Sequence, residues 1–113
     1  MEITKEGCSI QYKKETSEIF VVGTMRLFGS EHYADIASVL SRAAEDESPN
    51  LTLDITRLQF LNSSGINVFF KFLIDLRKRN RTKLTIKGTN EYFWQKKTLL
   101  NFQKILPGTA LEY

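Results

Sequence analysis

Apolar and polar positions alternate along the first patterned stretch of the chain, Cys8, Ile10 and Tyr12 against Ser9, Gln11 and Lys13. A period of two is that of a strand with one buried face. A second strand is predicted over Glu18 to Gly23, where Ile-Phe-Val-Val stands between polar ends, and the Glu15-Thr-Ser17 link is short enough for an antiparallel hairpin. The period then changes. Tyr33, Ile36, Ala37, Leu40 and Ala44 recur at helical spacing behind Ser30, a residue able to cap a helix, with Glu31 in the first turn. This predicts a helix that ends near Asp46. After Pro49, Leu51, Leu53 and Ile55 alternate with Thr52, Asp54 and Thr56, and over Lys83 to Lys87 Leu84 and Ile86 stand against Thr85 and Lys87. Between these strands a helical stretch from about Ser64 to Arg79 completes a strand-helix-strand unit, most simply a parallel pair with a right-handed crossover. A last helix, from about Glu91 to Lys104, has Tyr92, Leu99, Phe102 and Leu106 among its apolar positions and stops before Pro107-Gly108. The predicted fold is α/β, a mixed central sheet with helices mainly on one face, in the order β-β-α-β-α-β-α. Residues 1–113 are expected to form one domain.

Composition narrows the chemistry. Apolar residues make up 42% of the chain and charged residues 26%, with eight Phe, four Tyr and one Trp, enough to fill a core and to exclude extended disorder. No apolar run approaches the roughly 18 residues that span a bilayer. Met1 to Glu6 carries two acids and a lysine where a signal peptide would turn hydrophobic, so a cytoplasmic location without membrane insertion is expected. The lone Cys8 cannot close an internal disulfide, and one His with one Cys falls short of a zinc ligand set, so neither metal nor cofactor is expected. The net charge of +3 reads as too small and too interspersed for nucleic acid. The run Arg77, Lys78, Arg79 and Arg81 is assigned to a helix C-terminus, where cations complement the helix dipole.

The segment from Leu53 to Asn67 holds a buried strand, a short loop and Ser-Ser-Gly at the start of a helix. Through Phe60-Leu61-Asn62-Ser63-Ser64-Gly65-Ile66 and the order of the surrounding elements, the sequence resembles the STAS domain, the family of the bacterial anti-sigma factor antagonists. The family's hallmark is a strand followed by Phe-x-Asp-Ser-Ser/Thr-Gly and an apolar helix. The resemblance implies that the second hydroxyl residue, Ser64, is phosphorylated by a partner protein kinase. It implies further that the partner is an anti-sigma factor or histidine-kinase-like serine kinase, opposed by a PP2C-type phosphatase. Two departures stand out: the family's usual aspartate is Asn62, and its usual Gly-Glu-Leu after the second strand is replaced by Gly23-Thr-Met-Arg-Leu-Phe28.

The residues themselves point the same way. At 100° per residue, Asn67, Lys71, Asp75 and Lys78 share Ser64's side of the helix, and Ile66, Phe69, Phe70, Leu73 and Leu76 form the opposite, core face. Val68 and Phe72 are then expected to border the polar stripe, partly exposed and able to be buried by a protein partner, a second core contact being the alternative. The expected partner surface is Asn62, Ser63, Ser64, Gly65, Asn67, Val68, Lys71 and Phe72. A phosphate on Ser64 would be tolerated by the helix N-terminus, yet its charge would have to be desolvated on docking, which weakens binding without refolding. Ser63 or Ser64 could equally serve as a plain helix cap. A hydrolase using Ser64 and His32 is not expected, because no Gly-x-Ser-x-Gly elbow is present and His32 falls on a different helix. A constitutive STAS subunit of a larger assembly, such as an ABC lipid-transport complex or a sensory-complex scaffold, is the alternative.

Overall fold

The computed structural model describes residues 1–113 and lays the sheet down in chain order. Its six strands, β1 (Glu2–Lys5), β2 (Cys8–Lys13), β3 (Glu18–Met25), β4 (Asn50–Leu61), β5 (Lys83–Lys87) and β6 (Ala110–Glu112), lie side by side in that sequence. Pairing is antiparallel from β1 to β3 and parallel from β3 to β6. The helices α1 (Ala34–Glu45), α2 (Ser63–Arg79) and α3 (Gln95–Ile105) cover one face. Inward strand residues such as Ile10, Ile19, Leu53 and Ile86 are fully buried beneath them, whereas Ser9, Gln11, Phe20, Asp54 and Thr56 line an open groove on the other face. The 27 buried apolar residues form a single cluster, so there is one core. No helix is long and apolar enough to cross a membrane.

The α/β class, the hairpin, the parallel β4–β5 pair and the one-sided helices agree with the sequence pattern; the order gains a strand at each end. Edge strand β1 has Ile3 as its only apolar residue and β6 is three residues long, so neither carries a readable period. The tight β1–β2 turn needs glycine twice: Gly7 sits at φ +78°, and a Cβ on Gly23 would lie 2.1 Å from the Gly7 carbonyl oxygen.

Strand β4 runs to Leu61 rather than ending at Thr56. Between the pairs Phe20↔Asp54 and Thr24↔Phe60 it takes up two residues more than β3, through two bulges. Its buried residues therefore step from Ile55 to Leu58 to Leu61, a spacing of three that no strand period reveals. The bulges leave inward carbonyls that α3 satisfies. Fully buried Gln95 donates from Nε2 to the carbonyls of Ile55 (2.8 Å) and Leu58 (3.0 Å), and its Oε1 accepts from the Thr89 N–H (2.9 Å). Trp94 Nε1 donates to the Gln59 carbonyl at 2.7 Å. These anchors hold the chain before Gln95 in turns, which is why α3 starts there rather than at Glu91. Helix α1 likewise starts at Ala34, not at Ser30. Tyr33 occupies its cap position with no side-chain cap bond, because the residues before it are tied to α2 instead. The basic run closes α2 as expected, with Asn80 in the left-handed region at φ 52° as C-cap.

Candidate functional site

Where β3 and β4 end, their loops meet the first turn of α2. Ligands and partners of open α/β sheets are met at this carboxyl edge of the parallel strands. Asn62, the residue after β4, organises it. Its Oδ1 accepts from the Gly65 N–H (2.9 Å) and the Tyr33 hydroxyl (2.9 Å), its Nδ2 donates to the Leu27 carbonyl (2.8 Å), and its N–H donates to the Met25 carbonyl (3.1 Å). Burial pushes the Tyr33 phenol above its ordinary range, which keeps it a neutral donor to Asn62. Asn62 is thus the N-cap of α2, and neither Ser63 nor Ser64 fills that role. An aspartate here could accept the same two bonds but could not donate to Leu27.

With capping complete, Ser64 is free of a structural duty. It is the second residue of α2, half-buried, and its Oγ accepts one long hydrogen bond, 3.3 Å, from the Gly29 N–H of the β3–α1 loop. A groove of about 330 Å³ opens beside it, lined by Gly29, Ser30, Ser64, Asn67, Val68, Phe70 and Lys71. A narrower groove, sharing Ser30, Val68 and Lys71, continues between α1 and α2 past Phe72 and Asp75. Asn62, Ser63, Ser64, Asn67 and Lys71 thus lie together on the accessible side of the first turns. The other members sit lower than the helical wheel implies. Gly65 is buried, and a Cβ there would lie 2.5 Å from Leu61 Cδ1. Val68 and Phe72 are 8% and 4% exposed, so they form the groove's floor and not an exposed border. The reason is that α2 is the middle helix: α1 covers the Val68–Phe72 flank while Phe70 meets Phe102 of α3 edge-on at 5.7 Å. The buried arc is therefore turned towards α1, leaving Ile66 and Phe70 half-exposed on the other side.

The exposed apolar surface at this edge comes from the β3–α1 loop and the bulged end of β4. Phe28, next to Gly29, is 79% exposed. Phe60 is 37% exposed on the open side of the same edge, with the Arg26 guanidinium 4.5 Å from its ring centre. The sequence signals were Phe60 at the head of the motif and Gly23-Thr-Met-Arg-Leu-Phe28, the segment that replaces the family's Gly-Glu-Leu. His32, exposed in the turn before α1, has no hydrogen bond to Ser64. No three His, Cys, Asp or Glu side chains gather as a metal site. Buried Cys8 has its thiol pushed up by burial and is held as the neutral form.

Residues 14–111 match the model of the STAS domain. Among solved structures the chain is similar to SiaC of Pseudomonas aeruginosa, with a TM-score of 0.75 at 18% identity over 100% of this chain and 95% of that one. It is similar also to a chain in the crystal structure of the diguanylate cyclase SiaD in complex with its activator SiaC from the same organism, with a TM-score of 0.73, 19% identity and coverages of 99% and 98%. A third similar fold is the Bacillus cell fate determinant SpoIIAA in its phosphorylated form, with a TM-score of 0.60 at 14% identity over 92% of this chain and 91% of that one. No curated protein matches the sequence.

Proposed function

The chain belongs to the STAS domain family, and from that premise we propose that it is a partner-binding regulator whose docking edge is switched by phosphorylation of Ser64. The observation that carries this reading is the division of labour in α2's first turn: Asn62 caps the helix, so Ser64 offers an accessible hydroxyl held only by the Gly29 N–H. The same N–H and the helix N-terminus would receive a phosphate's charge within the fold. Exposed Phe28 adjoins Gly29, whose N–H bonds the Ser64 hydroxyl, so a partner that buries Phe28 would have to desolvate the phosphate, and docking would weaken without refolding. The partners implied are an anti-sigma factor or a histidine-kinase-like serine kinase, with a PP2C-type phosphatase resetting the switch. Two similar folds fit such a role, one described as an activator of a diguanylate cyclase and one solved in a phosphorylated form. The reading is of a binding module and not an enzyme, since the group nearest the Ser64 hydroxyl is an amide donor rather than a base.

One observation favours the constitutive subunit: Asn62's donation to Leu27 builds the departure from aspartate into the fold. Incubation with the cognate kinase and ATP, followed by peptide mass spectrometry, separates the two readings. The switch expects a single phosphate on Ser64. An unmodified protein whose Asn62→Asp variant does become phosphorylated would replace the switch by the subunit.

A further inference from the structure

The charges are less interspersed than the net value suggests. Residues 1–61 hold six Lys and Arg against ten Asp and Glu, a net −4, whereas residues 62–113 hold ten against three, a net +7. Because the strands follow one another across the sheet in chain order, this asymmetry along the sequence becomes an asymmetry in space. Three acids of the acidic half are paired: Asp35 with Lys5, Asp46 with Lys14 and Arg42, and Glu47 with Arg79. At the opposite end, α3 contains no acid at all, and none of Lys96, Lys97 and Lys104 forms an ion pair.

The same side of α3 shows apolar surface. Leu100 is 47% exposed, and Phe93, in the turn before the helix, is fully exposed. Lys97, Leu100 and Lys104 recur at steps of three and four, so they form one stripe along the outer side of α3, about 10 Å long at 1.5 Å per residue, and Phe93 adds to it from the turn before the helix. Leu99 and Phe102 face the other way, into the core. We propose that this stripe, Phe93, Lys97, Leu100 and Lys104, with Lys96 beside it, is a second docking surface for an acidic helix of a protein partner whose apolar residues stand two turns apart. Charge selects an anionic occupant, and the alternation of apolar and cationic positions along a straight line selects a helix laid against it. Two separated apolar side chains offer a bilayer little to insert, and Leu100 at the centre of the stripe contributes nothing to a phosphate backbone. None of these residues lines the groove beside Ser64, so this face would hold a partner whatever the state of that residue.

The probe is a phage-displayed library of random peptides of roughly 20 residues, long enough to form a helix, selected on the whole folded chain. Enriched peptides should be net acidic with apolar residues two turns apart. They should bind the Lys97→Glu/Leu100→Ser variant at least about tenfold more weakly than the native chain. Their affinity should fall as salt rises from about 50 to about 500 mM. The Ser64→Asp variant should bind them as the native chain does, which separates this surface from the phosphorylation reading. Both substituted side chains are exposed, and circular dichroism verifies that the variant is folded; Lys97→Glu alone, which touches no core residue, serves should the pair disturb the helix. Peptides without an acidic excess, or equal binding to the folded variant, would overturn the proposal. So would self-association of the chain abolished by Lys97→Glu, or a preference of the native stripe for phosphatidylserine vesicles or duplex DNA over the selected peptides.

Discussion

The two seams of α2 are built from different materials. Towards α1, Tyr33, Ile36, Leu40, Val68 and Phe72 pack beneath the groove, each less than a tenth exposed. Towards α3, Ile66, Phe70 and Ile74 remain half-exposed, and α3 is tied instead to β4 by Trp94 and Gln95, whose side chains fill the hydrogen-bonding gaps left by β4's bulges. The α1 seam is held by area removed from water, whereas α3 is placed by hydrogen bonds to otherwise unpaired carbonyls of β4. Ser64 sits at the head of the helix between them, so it is presented by a platform fixed on both sides. The difference teaches where change is tolerated: packing at the α1 seam depends on the volume of its side chains, and polar satisfaction between α3 and β4 leaves no substitute for one glutamine.

Breaking the apolar seam should cost most. Phe72→Ala is expected to lower stability by about 3–5 kcal/mol in denaturant unfolding, because it opens a cavity between α1 and α2. A loss below about 1 kcal/mol would mean that Phe72 is a surface residue after all, as the helical wheel implied. Gln95→Leu tests the polar seam. It keeps the volume roughly but strands the Ile55 and Leu58 carbonyls and the Thr89 N–H, at an expected cost of about 3 kcal/mol. Hydrogen exchange should accelerate first in α3 and at the end of β4, whereas uniform acceleration would deny the separation of the two seams.

The smallest effect is confined to alkali. Tyr12, beneath α1, is buried and donates to Asp46 Oδ2 at 2.6 Å; burial first, and the Asp46 bond second, push its phenol up to about 12. Below about pH 10 the phenol is neutral whether folded or unfolded, and its stabilisation is complete. Between about pH 10 and 12 only the unfolded chain ionises, so stability falls as pH rises and the contribution is gone above the folded value. Thermal melts across this window should show that decline, shallower in Tyr12→Phe, which also loses about 1 kcal/mol at neutral pH through the missing hydrogen bond. Identical slopes for the two proteins would place the alkaline transition elsewhere.

Much of this was legible in the sequence, and what was hidden was hidden for physical reasons. Strands β2, β3 and β5, and the helix behind Ser63-Ser64-Gly65, follow from periodicity because each has one dry face. The second half of β4 did not, since bulges replace the period of two by steps of three at Ile55, Leu58 and Leu61. The site's position was legible from Phe60-Leu61-Asn62-Ser63-Ser64-Gly65. Its wiring was not: the Leu27 carbonyl, Gly29 N–H and Tyr33 hydroxyl reach Asn62 and Ser64 across about 30 residues of chain. Val68 and Phe72 were misjudged because a single helical wheel has no means of showing that α1 covers the flank on which they lie.

The central claim is that charge on Ser64, and not loss of its hydroxyl, controls docking. Isothermal titration calorimetry of the cognate partner with the Ser64→Ala and Ser64→Asp variants tests it most directly, with melts alongside. Since Asn62 does the capping, both variants should melt within about 1 kcal/mol of the native chain. Ser64→Ala should keep native affinity, and Ser64→Asp should lose at least about tenfold, or roughly 1.4 kcal/mol. Equal affinity of the two variants, with both folded, would contradict the switch.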